Sequence, residues 1–195
     1  MLSHRLIRRG ILAMVASVLL AAGAAGRGAP AQLRLLDLSG HEVDPFASAQ
    51  ARAVVFLFIR TDCPISNRYA PEVRRLHQKF AARGVAFRLV YPDRDESVEM
   101  IRQHVKAYGY RLEVLRDPRH ALVRLAGVRV TPEAAVFVGG RMVYRGRIDD
   151  RFVAFGKARP QPTAHDLEMA LEAILDRRPV AVERTTAIGC FIPEL

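Results

Sequence analysis

The sequence predicts an α/β fold in which helices cover both faces of a central mixed β-sheet. Strand and helix patterns alternate through the first half of the chain, and a β-hairpin followed by one helix closes it. The right-handed crossover rule makes the first strand–helix–strand unit parallel. Roughly 170 residues follow an N-terminal targeting segment, which suits one domain with a single core. We therefore expect one domain over 27–178 and a tail over 179–195.

The first elements lead to a deeply buried strand. A short apolar strand over 33–38 turns through 39–41 into a hairpin or an extended arm. Residues 53–59 (AVVFLFI) form a continuous apolar run, typical of a central strand buried on both faces. A helix is predicted over 64–82. Pro71 must bend it, because proline removes one backbone hydrogen bond and crowds the preceding turn.

Two further strands, over 85–91 and 112–115, enclose a helix that Asp93 or Asp95 can cap. Apolar residues recur at helical spacing through that helix. The sheet therefore continues in the strand–helix–strand order.

Turn and cap signals place the remaining elements. Asp117-Pro118 predicts an N-cap followed by proline at the first position of a brief helix, which ends at Gly127. Gly139-Gly140 indicates a hairpin between two strands. The stretch from Thr163 to Asp166 resembles a capping box for the last helix, and Pro179 stops that helix.

Residues 1–26 read as a targeting segment. Arg5, Arg8 and Arg9 precede an apolar run from Ile11 to about Ala22, and small residues follow. The run is shorter than the roughly 20 residues that a bilayer span needs. We expect a periplasmic or secreted protein without a stable membrane span after processing. The alternative is a membrane-anchored protein whose N-terminal segment is not cleaved.

The charge and the cysteine count limit the function classes. The formal net charge is +10, but the arginines are scattered through every segment, so we expect a solvated surface and no nucleic-acid partner. Cys63 and Cys190 are the only two cysteines, too few for a disulfide scaffold. The two cysteines are therefore available for a reactive role or for a single disulfide bond.

Cys63 follows the buried strand and precedes a helix, in the stretch from Arg60 to Ser66. The free N–H groups and the dipole of a helix start stabilise a thiolate, so this position favours a nucleophile. Arg60 would lower the pKa of the thiol further if it turned inward, while Asp62 would act in the opposite sense. We expect Cys63 to react faster with alkylating reagents than Cys190. A buried structural cysteine is the alternative.

Four features of the chain form a recognisable pattern: the strand AVVFLFIR, the tetrad Cys63-Pro64-Ile65-Ser66, Pro71, and Val130-Thr131-Pro132 before the strand AAVFV. Together they resemble the thioredoxin-like superfamily, and within it the redoxin branch (alkyl hydroperoxide reductase and thiol-specific antioxidant) of the exported bacterial type. The resemblance covers roughly 33–177 and implies a thioredoxin-like fold. It also implies a cis bond at Thr131-Pro132, with Pro132 against Cys63.

Two departures from the family pattern bear on activity. Ser66 occupies the place of the second cysteine of CxxC, so Cys63 has no resolving thiol next to it and Ser66 can only hydrogen-bond. Peroxiredoxins carry a threonine and a proline at the places held here by Arg60 and Phe56. Thr61 lies two residues before Cys63, one residue too close to the cysteine to be equivalent to the peroxiredoxin threonine. The resemblance therefore implies a redox protein without settling peroxidase activity.

Cys190 lies in the tail and can supply a distant resolving thiol if the tail returns across Cys63, as C-terminal cysteines do in some peroxiredoxins. The alternatives are a permanent structural disulfide and a cysteine that is unpaired or pairs with another molecule. The charged segment Arg145–Arg151 is similar to one in exported redoxins that share the TDCPISN stretch. It either recognises a partner, anchors the tail or forms a salt-bridged loop.

A metal-binding or interaction module that keeps the fold without turnover is the non-catalytic alternative. Thiolate and imidazole suit copper and zinc. Cys63, Cys190 and one histidine form the only credible set, and no pair of histidines has ligand-like spacing. We place His77 and His104 on helix surfaces. We therefore predict no cofactor and no metal.

These observations converge on thiol–disulfide oxidoreductase chemistry at Cys63, with Cys190 as a possible resolving residue. The substrate is expected to be a protein thiol or disulfide, a small thiol or a peroxide, and hydroperoxide reduction is the alternative activity. The residues expected to shape the site are Arg60, Thr61, Pro64, Ser66, Thr131 and Pro132.

Overall fold

A computed structural model describes residues 33–48 and 50–193. The targeting segment predicted over 1–26 lies outside the described residues. Within the described part of the chain, no helix is long and apolar enough to cross a membrane.

Short strands and helices alternate along the chain. The strands are β1 Leu35–Leu36, β2 Glu42–Val43, β3 Ala53–Phe58, β4 Val85–Tyr91, β5 Glu113–Arg116, β6 Val130–Thr131, β7 Glu133–Val138, β8 Arg141–Gly146, β9 Phe152–Ala154, β10 Lys157–Ala158 and β11 Cys190–Phe191. The helices are α1 Pro64–Arg68, α2 Ala70–Ala81, α3 Val98–Ala107, α4 Ala121–Ala126 and α5 Asp166–Leu175.

Seven strands form one mixed sheet in the order β2-β1-β5-β4-β3-β7-β8. Strand β3 is parallel to β4 and antiparallel to β7, and β4 is parallel to β5. Strands β7 and β8 form the hairpin predicted around Gly139-Gly140. The predicted mixed α/β sheet is therefore confirmed. Two small antiparallel pairs, β9 with β10 and β6 with β11, lie outside it.

The two faces of the sheet carry separate apolar cores, because successive side chains of a strand point to opposite faces. Val55 and Leu57 of β3 join a core that includes residues of α2, α3 and α5. Phe56 and Phe58 join a second core that includes residues of α4. All six residues of β3 are buried. The prediction of a central strand covered on both sides is thus confirmed.

The single helix predicted over 64–82 is divided in two at Tyr69, which ends α1 and caps α2. Pro71 is the second residue of α2. Proline is tolerated there because the first amides of a helix have no intrahelical partner, whereas inside a continuous helix it would break a hydrogen bond. The bend expected at Pro71 therefore takes the form of a break.

The caps of α3 and α4 differ from the prediction. Ser97, and not Asp93 or Asp95, caps α3, and its hydroxyl accepts from the amide of Met100. Asp117 is not the residue next to α4. Its carboxylate instead reaches forward and accepts from the amides of residues 121–123. A buried carboxylate with three amide donors satisfies the helix start from a distance.

The last helix also begins later than predicted. Thr163 does not cap α5, because its hydroxyl and amide bind the carboxylate of Asp150, and His165 holds the N-cap position. The helix ends at Leu175, before Pro179 is reached. Gly127 ends α4 in a left-handed conformation (φ 67°), as expected.

The sheet topology brings two distant segments to one edge. Phe58 at the end of β3 lies opposite Glu133 at the start of β7. Because these strands are antiparallel, the chain that leaves β3 toward Cys63 and the chain that enters β7 through Thr131-Pro132 lie side by side.

Candidate active site

Cys63 lies at this edge as the N-cap residue of α1 and is fully buried. The Thr131-Pro132 bond is cis, and Cys63 Sγ donates to the carbonyl oxygen of Thr131 at 3.0 Å. The expected cis bond is therefore confirmed, and the carbonyl that precedes it contacts Cys63. The helix that Cys63 caps has only five residues, so the contribution of its dipole is smaller than that of the long helix expected from the sequence.

The C-terminal tail returns across the site. Strand β11 pairs antiparallel with β6, in a register that sets Cys190 opposite Thr131. Cys190 Sγ lies 2.7 Å from Cys63 Sγ, and both cysteines are free thiols. The two cysteines are 127 positions apart in the sequence. The fold thus brings together the two residues predicted to act as a pair.

The two thiols differ in acidity. Burial opposes ionisation of Cys63, but the hydrogen bonds that its sulfur accepts from Cys190 and Ser66 lower its pKa below the ordinary value. Burial raises the pKa of Cys190 to about 12, and the hydrogen bond to Cys63 acts in the same direction. The contact therefore favours a thiolate on Cys63 and a protonated thiol on Cys190. This order agrees with a nucleophilic Cys63.

Burial adds a condition to the expected alkylation order. Cys63 has no exposed surface, whereas Cys190 is partly exposed. A reagent can reach the more acidic thiol only when the tail moves away. Faster alkylation of Cys63 stays a prediction, and it now depends on tail opening as well as on acidity.

Pro64 and Ser66 shape the first turn of α1. Pro64 is the first helical residue, where a missing amide hydrogen is tolerated. The amide of Ser66 donates to Cys63 Sγ at 3.5 Å, and the Ser66 hydroxyl is buried without a hydrogen-bond partner among the described residues. Ser66 therefore acts on Cys63 as a donor and does not replace a resolving thiol.

Arg60 does not bind Cys63. Its guanidinium pairs with Asp62 at 2.9 Å and Asp93 at 3.0 Å, and it donates to the backbone carbonyl of Phe191 at 3.2 Å. Arg60 therefore holds the tail in place, a role that the sequence did not indicate.

Thr61 is fixed by two side chains that sequence reasoning missed. Its amide donates to Glu96 Oε1 at 2.5 Å, and its carbonyl accepts from Asn67 Nδ2 at 3.0 Å. Burial raises the pKa of Glu96, although the hydrogen bonds from Thr61 oppose the shift. The acidic run after β4 could have indicated Glu96, because the C-terminal ends of parallel strands meet at one edge.

The same network continues to a buried histidine. His104 Nε2 lies 2.7 Å from Asn67 Oδ1, and Nδ1 lies 2.8 Å from the hydroxyl of Tyr91. Burial lowers the pKa of His104 to about 4, so the ring is neutral near pH 7. The surface position expected for His104 is wrong. Its spacing of three from Ile101, which lies on the buried face of α3, was the signal for burial.

The charged segment Arg145–Arg151 anchors the tail, one of the three roles considered for it. The amide of Arg145 donates to the carbonyl of Glu183 at 2.9 Å, and its carbonyl accepts from the amide of Thr185 at 3.0 Å. The Thr185 hydroxyl accepts from the amide of Arg147 at 3.0 Å. The tail is thus attached beside β8 before it reaches Cys63.

Potential metal ligands gather elsewhere. Among the described residues, the one group of three such side chains with ligand atoms within 4.8 Å of one another is Glu72, Asp149 and His165. Glu72 already pairs with Arg75, and Asp149 accepts from the Tyr69 hydroxyl at 2.5 Å. The cysteine pair does not belong to this group.

Sequence comparison identifies a family. A sequence model of the AhpC/TSA family matches residues 26–147, a range that contains Cys63 and the cis-proline turn. Among curated proteins, no sequence matches the chain at a significant level.

Solved structures share the architecture. A hypothetical protein from Sinorhizobium meliloti 1021 is 26% identical, with a TM-score of 0.71 over 82% of this chain and 89% of that one. An uncharacterized conserved protein from Geobacillus kaustophilus is 24% identical, with a TM-score of 0.71 over 84% and 90%. A secreted Mycobacterium tuberculosis disulfide oxidoreductase homologous to E. coli DsbE is 19% identical, with a TM-score of 0.51 over 75% and 96%. The predicted thioredoxin-like fold is confirmed.

Proposed function

The chain belongs to the AhpC/TSA family, and from this premise we propose that it is a thiol–disulfide oxidoreductase whose reactive pair is Cys63 and Cys190. The observation that carries the proposal is the 2.7 Å contact between the two sulfurs beside the cis-proline turn. Two thiols this close can exchange between a dithiol and a disulfide with little backbone movement.

The reaction begins on the more acidic thiol. The Cys63 thiolate attacks one sulfur of a substrate disulfide, forms a mixed disulfide and releases the other substrate sulfur as a thiolate. Cys190 then loses its proton and attacks Cys63 Sγ, which releases the second substrate thiolate and leaves a Cys63–Cys190 disulfide. Two electrons pass from the cysteine pair to the substrate. The proton of Cys190 goes to one released thiolate, and the other released thiolate takes a proton from solvent. A dithiol reductant regenerates the pair by the reverse exchange.

The raised pKa of Cys190 fits the second role. A thiol whose pKa is about 12 is a poor first nucleophile near neutral pH. Once Cys63 is in a mixed disulfide, its negative charge is gone and no longer opposes ionisation of Cys190. Mixed-disulfide formation therefore prepares the resolving thiol.

The fold neighbours and the N-terminal pattern support the setting of this activity. A secreted disulfide oxidoreductase and the dsbF protein of the same mycobacterium share the fold. The targeting pattern of residues 1–26 supports export. An oxidising compartment outside the cytoplasm supplies disulfide substrates.

Hydroperoxide reduction is a second candidate, favoured by the family match over residues 26–147. Here the Cys63 thiolate would take one peroxide oxygen and become a sulfenic acid, releasing an alcohol or water. Cys190 would then displace water and form the same disulfide. Arg60 pairs with Asp62 and Asp93, so its guanidinium is not directed at a peroxide. The geometry therefore favours disulfide substrates.

The test uses the reduced full chain and glutathione disulfide as a mild oxidant. We expect peptide mapping to find one intrachain Cys63–Cys190 link in the wild type and a glutathione adduct on Cys63 in Cys190→Ser. Cys63→Ser is the matched control, in which the remaining thiol should react slowly. Reduction of insulin disulfides with a dithiol donor should fall by about two orders of magnitude in Cys63→Ser.

Three results would change the assignment. Full insulin reduction by Cys190→Ser would remove Cys190 as the resolving residue, and full activity of Cys63→Ser would remove Cys63 as the nucleophile. Faster consumption of hydrogen peroxide than of insulin disulfides would favour the second candidate.

A further inference from the structure

We propose that a surface cavity lined by Arg124, Arg129 and Arg145 binds a small thiol that carries carboxylate groups. Bound there, the thiol attacks Cys190 and reduces the Cys63–Cys190 disulfide. The inference rests on the proposed function and deepens it, because it names the class of reductant and the sulfur that the reductant attacks.

The first argument is the size and the charge of the cavity. Its volume of about 810 Å³ lies within the range of small-molecule sites. Among the described residues that line it, the three arginines are the only charged ones. Glu133 lies outside the lining, is buried, and pairs with Arg145 at 3.5 Å. One buried carboxylate faces three guanidinium groups, so the cavity favours an anionic ligand.

The second argument is that two of the arginines have donors to spare. Arg129 is exposed, and its guanidinium forms no hydrogen bond or ion pair with another described residue. Arg124 is exposed as well and uses Nη2 to bind the carbonyl of Arg119 at 2.6 Å. Arg145, by contrast, already donates to the carbonyl of Gly127. Free guanidinium donors of this kind bind carboxylates in a bidentate manner.

The third argument is the position of the cavity beside the redox pair. Phe191 and Ile192, which follow Cys190, form part of its lining. The amide of Ile192 donates to the carbonyl of Arg129 at 3.1 Å, and Cys190 lies opposite Thr131. Because a strand rises about 3.3 Å per residue, the backbone of Arg129 lies roughly 7 Å from that of Thr131. A thiol of tripeptide size spans about 10 Å when extended, so it can reach both the arginines and Cys190.

The attacked sulfur follows from access and from leaving-group strength. Cys190 is partly exposed, whereas Cys63 is fully buried. Burial opposes ionisation of Cys63, but its hydrogen bonds lower its pKa below the ordinary value, whereas burial raises the pKa of Cys190 to about 12. The thiol with the lower pKa leaves faster in an exchange. Attack on Cys190, with Cys63 as the leaving group, is therefore the faster route.

Two small thiols complete the reduction. The first thiolate bonds to Cys190 Sγ and breaks the bond to Cys63, which leaves as a thiolate. A second thiolate attacks the small-molecule sulfur of this adduct and releases Cys190, which takes up a proton. The two small thiols are oxidised to one disulfide, and their two electrons and two protons return the pair to its dithiol form. Reversal of the first exchange would instead require Cys190 to leave.

The test measures reduction of the oxidised full chain, with glutathione as the probe and its diethyl ester as the matched thiol. The ester keeps the sulfur and loses both carboxylate charges. We expect glutathione to reduce the wild type at least about tenfold faster than the ester does, at equal thiolate concentration. In the double variant Arg124→Gln/Arg129→Gln the two rates should become similar. Arg178→Gln, which removes an exposed arginine elsewhere, controls for net charge and should keep the wild-type ratio.

The position of the adduct is measured by rapid acid quenching during turnover, followed by peptide mapping. We expect more glutathione on Cys190 than on Cys63. An equal or reversed distribution, or no adduct on Cys190, would overturn the proposed point of attack. A wild-type ratio of rates that the double variant keeps would overturn the assignment of the arginines.

Binding without electron transfer separates this proposal from the proposed function. S-methylglutathione cannot exchange, and isothermal titration of the reduced full chain measures its affinity. We expect the double variant to bind it at least about tenfold more weakly than the wild type, and equal affinity would overturn the site. If the cysteine pair failed to oxidise, the proposed function would fail and this binding result would still be readable. If the pair oxidised but the arginines had no effect, only the present inference would fail.

Discussion

At the scale of single residues, the reactivity of Cys63 is controlled by its donors. A buried thiol would ordinarily resist ionisation, because a charge in an apolar setting is poorly solvated. The amide of Ser66 and the thiol of Cys190 reverse that tendency by hydrogen bonding to the sulfur. Cys190 is therefore a partner of the nucleophile before it is a resolving residue.

This dual role predicts a difference between two substitutions. Cys190→Ala removes the donor, whereas Cys190→Ser keeps a hydroxyl in its place. We expect the pKa of Cys63 to be higher in Cys190→Ala than in Cys190→Ser, so that the thiolate of the alanine variant forms only at higher pH. The thiolate absorbance in the ultraviolet, followed against pH, measures both midpoints. Equal midpoints would show that Cys190 does not stabilise the thiolate.

The sequence predicted which residues lie in the site better than it predicted which hydrogen bonds and ion pairs those residues form. Cys63, Thr131 and Pro132 were identified because a strand end, a helix start and a resemblance coincide there. Arg60 would have lowered the pKa of the Cys63 thiol if it turned inward, but its guanidinium pairs with two carboxylates, Asp62 at 2.9 Å and Asp93 at 3.0 Å. Which partner a long charged side chain selects depends on tertiary distances, which local sequence does not contain.

At the scale of secondary-structure elements, charges join α2 to α5. Glu168 of α5 pairs with Arg75 and with Lys79, at 2.6 Å from Lys79 Nζ. Glu172 pairs with Lys79 at 2.7 Å and with Arg83 at 2.8 Å. These helices cover the same face of the sheet as Cys63. The network therefore stabilises the packing of α2 against α5 on the face of the sheet where Cys63 lies.

Glu168→Gln should lower the free energy of unfolding by an amount that depends on pH. The hydrogen bond from Arg75 lowers the pKa of Glu168 to about 2, from an ordinary 4.5, although burial opposes the shift. A depressed carboxyl pKa stabilises the fold fully above the unfolded value and loses that effect as pH falls toward 2. Because Arg75 and Lys79 are more than a third exposed, we expect a loss of only about 1 kcal/mol at pH 7.

Urea unfolding of wild type and Glu168→Gln, at pH 7 and at pH 3, measures this difference. The difference in the free energy of unfolding between the two proteins should be smaller at pH 3 than at pH 7. Glu99→Gln is the matched control, since Glu99 lies on an exposed face of α3 and hydrogen-bonds Gln103. If this difference were the same at both pH values, the ion pairs of Glu168 would not contribute to stability.

The sequence predicted most elements and few of their caps. The apolar run at β3 and Gly127 at the end of α4 carry strong local signals, and both were identified. Thr163 was assigned to a cap, but the buried carboxylate of Asp150 takes its hydroxyl and amide. A capping pattern says which bonds a side chain can make locally and does not exclude a better acceptor elsewhere.

At the scale of the whole molecule, oxidation would close a large loop. A Cys63–Cys190 disulfide joins residues 127 positions apart and restricts the unfolded chain accordingly. We expect oxidation to raise the free energy of unfolding by up to about 5 kcal/mol. Urea unfolding of the oxidised and reduced wild type measures the change, with Cys190→Ser as a control that should show none. Equal stability of the two forms would contradict a closed pair.

The contact that makes this loop possible was the least predictable feature. Nothing near Cys190 in the sequence states that β11 pairs with β6, because such a pairing is decided by the final position of the whole tail. The resolving, structural and unpaired alternatives could therefore not be separated from sequence.

The contact between Cys63 and Cys190 has a kinetic consequence. Both thiols belong to one chain and already touch, so the step that closes the disulfide needs no encounter with a second molecule. Its rate is first order, and it should be the same in a dilute extract as in a crowded compartment. Only the arrival of substrate and of reductant then responds to concentration.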